Sequence, residues 1–217
     1  MHFVGRKKEL DFIGRCLEEG QNILIQGKFG MGRTALVRRA AELYCSRYAF
    51  WFADFGLAPE KMCRRLYKQI INGVNEVSLP YKSIRRLLVR AAADSPNKVV
   101  LILDNINSLS LAKNELCRYF ALSNAFLFIG IVESSLDPDS LLRLRATLRL
   151  SRKLCLDRLS ATEAESFFRF YAEKRQLGWS ELQIADCCRR TRGYPLRMAM
   201  EIKRVAGSAL KNRTFSR

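Results

Sequence analysis

The sequence has no pair of cysteines with the C-x-x-C spacing, although it contains seven cysteines. An odd number of cysteines without such a pair indicates neither a disulfide framework nor a zinc site. Several cysteines lie in apolar patterns, as in Leu154-Cys155-Leu156, and these patterns predict buried thiols. Such use of cysteine is typical of a reducing compartment, so we expect a cytoplasmic protein, or a nuclear one if the organism is a eukaryote.

Long apolar runs are also missing. No apolar stretch approaches the roughly 20 residues that a membrane-spanning helix needs. The first ten residues, MHFVGRKKEL, include basic residues without a following apolar run, so we expect no signal peptide. Internal repeats and low-complexity segments are absent as well. We therefore expect no membrane partner.

Acidic residues are scarce. The chain has 21 Asp and Glu against 38 Lys and Arg, which gives a net charge of +17. Such a surface attracts polyanions, first of all DNA, with an acidic protein or an anionic lipid as alternatives. A solvated basic surface without a specific ligand remains a further alternative. DNA contacts of this kind would be independent of base sequence and sensitive to salt. The basic clusters contain Arg38, Arg39, Arg64, Arg65, Lys68, Lys82, Arg85, Arg86, Arg90, Arg189 and Arg190.

Apolar periodicity predicts strands that alternate with helices in the first three quarters of the chain. The predicted strands cover residues 22–26, 48–53, 98–104, 125–132 and 153–157. The predicted helices cover residues 6–19, 33–46, 59–74, 81–94 and 110–122. In the second helix, we expect Leu36, Val37, Ala40 and Leu43 to face inward. The alternation is typical of βαβ units, so we expect an α/β fold with a five-stranded, mostly parallel sheet.

After Asp157 the pattern changes to helices alone. Ser160 and Glu163 have the spacing of a capping box, with Ser at N-cap and Glu at N3. Helical spacing continues to about residue 204, with breaks near Gly178 and at 193–195. The sequence thus predicts a core domain at 1–157 and a small all-helical domain at 158–217.

The segment GKFGMGRT, residues 27–34, joins a predicted strand to a predicted helix. Its glycines, Gly27, Gly30 and Gly32, accept positive φ and let the backbone curl around an anion. The amide N–H groups then point inward, and the positive end of the following helix adds to the attraction. The spacing predicts a phosphate-binding loop in which Thr34 supplies a hydroxyl ligand to Mg²⁺. The alternative is a glycine-rich turn without a ligand.

A carboxylate ends the apolar predicted strand in VVLILDN, residues 99–105. Asp104 therefore lies at the carboxyl end of a buried strand, where open α/β sheets bind their ligands. This position predicts a second ligand of Mg²⁺, direct or through water. A plain helix N-cap is the alternative role.

These segments, in this order, resemble the motifs of the AAA+ ATPases, which are P-loop NTPases with a helical lid. The resemblance is to the branch that includes archaeal-type ATPases, origin-recognition initiators, transposition regulators and STAND signalling ATPases. FVGRKKEL at 3–10 resembles that branch's opening motif, GKFGMGRT its Walker A loop and VVLILDN its Walker B strand. AFLFIGIVESS at 125–135 resembles the sensor-1 strand, with Glu133, Ser134 or Ser135 at its polar tip. LDRLSATEAESFFRFYAEKR at 156–175 and TRGYPLRMAM at 191–200 resemble the lid entry and the sensor-2 segment.

The resemblance implies ATP or ADP with Mg²⁺ as cofactors, and assembly into homo- or hetero-oligomers. It implies that the opening motif lies near the adenine, that the loop holds the phosphates, and that a Gly-x-Pro turn opens a lid helix against the nucleotide. Thr34 and Asp104 are the implied ligands of Mg²⁺. The implied nucleotide contacts are Val4, Gly5, Arg6, Gly27, Lys28, Phe29, Gly30, Met31, Gly32, Arg33, Thr34, Ala35 and Pro195.

Two residues depart from the family pattern. Arg33 stands where the family has lysine, and its planar guanidinium is larger, so we do not expect it to take the lysine's slot unless the loop moves. Asn105 stands where the family usually has the glutamate that polarises the attacking water. An amide orients water but accepts no proton. Glu133, on a neighbouring predicted strand, is a candidate substitute, so Asn105 and Glu133 are the candidate catalytic residues.

These features favour a nucleotide-dependent switch or assembly factor on or near DNA, with impaired or absent hydrolysis. The first alternative is an active DNA-associated ATPase, either a loader or a regulator of transposition or replication. The second is a nucleotide-free scaffold that keeps the fold.

The resemblance also implies an arginine finger, the residue through which one AAA+ subunit reaches the nucleotide of its neighbour. Its candidates are Arg143, Arg145, Arg149 and Arg152. The alternative is a basic surface helix whose leucines pack inward. Arg192 and Arg197 are the candidate sensor-2 arginines.

Overall fold

The computed structural model describes residues 3–70 and 79–214, with side chains up to residue 204. The strands are β1 Ile23–Gly27, β2 Tyr48–Asp54, β3 Lys98–Ile106, β4 Phe126–Glu133 and β5 Arg152–Leu156. The helices of the first part are α1 Lys7–Glu18, α2 Arg33–Tyr44, α3 Pro59–Ile70, α4 Tyr81–Ala93, α5 Leu111–Leu122 and α6 Pro138–Leu148. The later helices are α7 Ala161–Lys174, α8 Glu181–Thr191 and α9 Pro195–Thr214. The end of the helix predicted at 59–74 lies outside the described residues.

The five strands form one sheet in the order β2-β3-β4-β1-β5. The pairs β2/β3, β3/β4 and β1/β4 are parallel, which confirms the predicted five-stranded, mostly parallel sheet. β3 and β4 are inner strands, and their continuous apolar runs are buried on both faces. Since parallel strands end at one edge of a sheet, the polar residues that follow β1, β3 and β4 meet there.

One apolar cluster joins the sheet to α3, α4, α5 and α6. It is built around fully buried side chains such as Leu101 of β3 and Phe120 of α5. Edge-to-face contacts join Phe120 to Phe126 at 5.4 Å and Trp51 to Phe126 at 5.9 Å between ring centroids. This packing fixes the positions of the strand ends.

Two expectations about single side chains are wrong. Leu43 was expected to face inward, but in the last turn of α2 it is 47% exposed. Cys155 was expected to be a core thiol, yet it is exposed. β5 is an edge strand, and alternation along it buries Leu156 while turning Cys155 to solvent.

The later helices form their own apolar cluster, with Phe168 and Met198 fully buried and Trp179 packed at its margin. The predicted capping box is confirmed, since the Ser160 hydroxyl accepts from the Glu163 N–H and the Glu163 carboxylate accepts from the Ser160 N–H. A second capping box starts α8 with Ser180 and Gln183. These caps satisfy N–H groups that the first turns would otherwise leave unpaired.

The chain divides into two compact units. The first, here called the sheet unit, contains Lys8–Lys28 and Arg33–Cys155. The second, here called the helical unit, contains the N-terminal segment up to Lys7, the loop residues Phe29–Gly32 and the chain from Leu156 onward. The domain boundary at residue 157 stays a prediction. Among the described residues, no helix combines the length and the apolar character needed to cross a membrane.

Candidate nucleotide-binding site

The sheet unit brings Gly27, Asp104 and Glu133 to the same edge of the sheet. β1 pairs with β4 so that Gly27, the first loop residue, lies beside Glu133. β4 also pairs with β3, which carries Asp104. The edge where the loop leaves the sheet is therefore also the edge that presents both predicted carboxylates.

The two predicted ligands of Mg²⁺ lie together. The Thr34 hydroxyl, in the first turn of α2, donates to Oδ1 of Asp104 over 3.2 Å. Adjacent oxygen ligands of an octahedral Mg²⁺ lie about 3 Å apart, because each Mg–O distance is about 2.1 Å. The oxygen pair therefore fits two neighbouring coordination positions. The described residues hold no cluster of three His, Cys, Asp or Glu, so phosphate and water would have to complete the shell of such an ion.

Arg33 directs its guanidinium to the end of β4. Its Nη1 donates a hydrogen bond to the carbonyl of Val132. Desolvation lowers the pKa of the guanidinium, and the carboxylates of Glu133 and Asp104 oppose this shift. The cation is thus held among one carbonyl and two nearby carboxylates, all within the sheet unit.

Asn105 occupies a β-bulge directly after Asp104. The β3/β4 register shifts between Leu103 and Ile106, and Asn105 has φ +61°. Asparagine tolerates this left-handed conformation far better than glutamate does. Its N–H donates to Oδ1 of Asp104 at 2.8 Å, and its Nδ2 donates to Oδ1 of Asp54 at 3.1 Å. The amide is therefore fixed against β2.

Asp54 is a site residue that the sequence reading missed. It ends β2 in register with Asp104, and it also accepts from the Gly56 N–H at 3.1 Å and pairs with Arg65 at 3.7 Å. Apolar periodicity does not reveal which strands are neighbours, so it does not place Asp54 beside Asp104. The available signal is that the apolar segments YAFWFAD and LILD both end in aspartate. A pocket of about 190 Å³ opens here, lined by Arg38, Phe52, Ala53, Asp54, Arg65, Gln69, Asp104 and Asn105.

Within the helical unit, the loop residues contact the start of α9. The Tyr194 hydroxyl donates to the carbonyl of Phe29, and the Leu196 N–H donates to the carbonyl of Gly30 over 3.1 Å. The second bond satisfies an N–H that the first turn of α9 leaves unpaired, directly after Pro195. Gly30 has φ +78°, and a Cβ there would lie 2.7 Å from Cβ of Leu196. Only glycine fits this approach.

The N-terminal segment is anchored through Arg6. Its N–H donates to Oε1 of Glu163 at 2.8 Å, and its Nη2 donates to the carbonyls of Met31, at 3.4 Å, and Asp157. Burial tends to raise the pKa of Glu163, but hydrogen bonds from Arg6 and Ser160 outweigh it, so the pKa lies below its usual value. The buried Arg6 thus ties together the opening motif, the loop and the lid entry within the helical unit.

The remaining sequence candidates lie at the surface. Lys28, Phe29 and Ala35 are exposed, Phe29 by 67%. Arg192 ends α8 in a left-handed conformation, and the Arg197 guanidinium lies 5.8 Å from the centroid of the Tyr194 ring. The candidate finger residues Arg143, Arg145, Arg149 and Arg152 are exposed, whereas Leu144 and Leu148 of α6 are buried. The nucleotide, metal and finger roles of all these residues stay predictions.

Comparison with solved structures finds several with a similar fold. The Orc1 protein of Aeropyrum pernix, determined in complex with DNA, has a TM-score of 0.69 at 18% identity, covering 98% of this chain and 62% of its own. The RuvB Holliday junction branch migration motor of Thermotoga maritima has a TM-score of 0.60 at 18% identity, covering 96% and 65%. Cdc6p of Pyrobaculum aerophilum has a TM-score of 0.57 at 13% identity, covering 77% and 50%.

The fold is that of the AAA+ P-loop NTPases. This confirms the predicted fold class, and the likeness at such low identity carries no more than the fold. The chain spans 50% to 65% of the length of these three proteins. No family model matches the sequence, and no curated protein matches it.

We predict that Asn105→Glu destabilises the sheet unit by about 1–3 kcal/mol, because glutamate is strained at positive φ and its carboxylate would face Asp54. Asn105→Gln is the matched control, since it has the same backbone strain and length without the charge. Urea unfolding followed by Trp51 fluorescence in a Trp179→Phe background measures both. Equal stability of the glutamate variant and the native chain would contradict the observed bulge.

Gly30→Ala and Gly32→Ala form a second matched pair, since both glycines have positive φ but only a Cβ at position 30 meets Leu196. Each substitution is expected to cost roughly 1 kcal/mol in backbone strain. We expect Gly30→Ala to cost about 1–3 kcal/mol more, from steric overlap. The readout is urea unfolding followed by Trp179 fluorescence in a Trp51→Phe background. Indistinguishable midpoints would show that α9 does not hold the loop.

Proposed function

We propose that this chain is an AAA+-like protein that binds ATP or ADP with Mg²⁺ and hydrolyses ATP poorly or not at all. Acting on or near DNA, it serves as a nucleotide-dependent switch or assembly factor. The observation that carries this proposal is that the two residues that differ from the family pattern both make hydrogen bonds to neighbouring strands. Arg33 donates to Val132, and Asn105 donates to Asp54.

The binding half of the proposal rests on the loop and its helix. Gly30 and Gly32 have positive φ, as a backbone that curls around an anion requires. α2 begins at Arg33, so its positive end adds to the attraction for phosphate. Thr34 and Asp104 fit a bound Mg²⁺, which would neutralise phosphate charge. Val4, Gly5, Arg6 and Pro195 remain proposed contacts of the nucleotide.

The chemical half of the proposal concerns proton transfer. The Asn105 amide accepts no proton from an attacking water, and its Nδ2 is already directed to Asp54. The loss of one positioning or charge-stabilising group typically lowers the rate of hydrolysis by about 10²–10³. An active ATPase that uses Glu133 is the second candidate. In its favour, Glu133 lies at the end of β4, next to the loop.

The DNA part of the proposal rests on charge. The net charge is +17, and a structure of similar fold was determined with DNA. Part of the charge on α3 and α4 is already paired, since Arg64 contacts Glu60 and Arg90 contacts Asp94. Arg85 stacks on Tyr81 and Tyr119. Lys82 and Arg86 of α4 are exposed and are therefore the better candidates for phosphate contacts.

The nucleotide half is tested by equilibrium dialysis with labelled ATP and ADP, together with a phosphate-release assay. We expect Mg²⁺-dependent binding that Thr34→Ala abolishes, while Thr162→Ala, on the exposed first turn of α7, leaves it intact. We expect turnover at least about 100-fold below the 1 s⁻¹ that marks the low end for typical enzymes. Robust turnover would favour the active ATPase, and the absence of binding would leave a scaffold.

The DNA half is tested by a salt titration of binding to a random-sequence duplex. We expect the logarithm of the association constant to fall linearly with the logarithm of the salt concentration, with a slope of about −0.9 per phosphate contact. Arg86→Ala should lower that slope by about one contact, whereas Arg90→Ala, whose charge Asp94 already offsets, should lower it less. Failure to bind duplex at low salt would remove DNA from the proposal.

A further inference from the structure

The guanidinium of Arg33 lies where the strands end. Arg33 is the first residue of α2, and its side chain reaches back to the carbonyl of Val132 at the end of β4. Val132 is fully buried and Arg33 is half-buried, so this charge-assisted hydrogen bond lies at the margin of the core. The nearby carboxylates of Glu133 and Asp104 both favour the charged form of the guanidinium. The cation thus has partners inside the sheet unit.

This placement changes what the loop offers to a phosphate chain. In phosphate-binding loops, backbone N–H groups cradle the inner phosphates, and the cation at this position reaches the β- and γ-phosphates. Here Thr34 contacts Asp104, and the cation is bonded to the Val132 carbonyl of β4. A diphosphate needs only the backbone N–H groups of the loop and the Thr34 hydroxyl, without the cation.

A third phosphate meets an obstacle. It would extend toward the carboxyl end of β4, where Glu133 contributes negative charge and Arg33 is already bonded to Val132. It lacks a countercharge there unless Arg33 turns toward it. That turn breaks the bond to Val132 and leaves Glu133 without its neighbouring cation. Both routes disfavour the longer phosphate chain.

We propose that Arg33 makes the site selective for a nucleoside diphosphate over the corresponding triphosphate, because its guanidinium is bonded to the Val132 carbonyl at the end of β4 and leaves a third phosphate without a cation. The inference rests on the proposed function, since it concerns the same site. Such a protein would bind the nucleoside diphosphate that another protein's hydrolysis releases, and it would not produce that diphosphate itself.

Isothermal titration of the full chain with ADP, ATP, GDP and GTP, each with Mg²⁺, tests the inference. We expect the diphosphate of the preferred base to bind at least about tenfold more tightly than its triphosphate, the scale of one charge-assisted hydrogen bond. Arg33→Met keeps the length of the side chain without its donors, and Arg33→Lys keeps a compact charge. In Arg33→Lys, we expect the preference to shrink to within about threefold. In Arg33→Met, which offers no cation to a third phosphate either, we expect the preference to remain.

Arg39→Met is the matched control, since Arg39 lies on the same helix and its Nη1 pairs with Glu42 at 2.8 Å. It should leave the preference unchanged. A native chain that binds the triphosphate equally well or better overturns the inference, as does a preference that survives Arg33→Lys. If no nucleotide binds the native chain, the proposed function itself has failed.

Discussion

The hydrogen bond from Arg33 to the carbonyl of Val132 is the constraint on which the site depends. It links the first residue of α2 to the end of β4, the strand that lies beside β1. A lysine ammonium is a compact charge that follows phosphate, whereas the forked guanidinium matches fixed acceptors. Arg33 therefore directs its charge to a backbone acceptor at the end of β4.

The second departure has a similar character. Asn105 lies in a bulge with positive φ, a conformation that asparagine accepts and glutamate resists. Its amide bridges β3 to Asp54 at the end of β2. Each replacement thus has a structural partner, and the two positions form a consistent strand edge. Both residues therefore stabilise the strand edge in contacts that a catalytic role would disrupt.

Local patterns predicted much of this fold. Apolar runs located all five strands, and capping chemistry located the start of α7, because strand burial and helix capping depend on neighbours in sequence. The loop between β1 and α2 followed from the same patterns, whereas β3 continues two residues beyond Asp104, where the sequence pattern ended it. That Arg33 does not take the place of the family lysine stays a prediction.

The missed features depend on which strands are neighbours. Asp54 joins the site only because β2 pairs with β3, and Val132 receives Arg33 only because β4 lies beside β1. The contact of Tyr194 with the loop spans 165 positions in sequence. The error at Cys155 has the same origin, since an edge strand buries one face while an inner strand buries both.

A crystal structure of the protein grown with ADP and Mg²⁺ tests the central claim most directly. We expect density for the β-phosphate on the amide groups of residues 27–34, with Mg²⁺ between Thr34 and Asp104 and with the Arg33 guanidinium still on the Val132 carbonyl. A loop without phosphate, or a guanidinium that has left Val132 to contact the phosphates, would contradict the account.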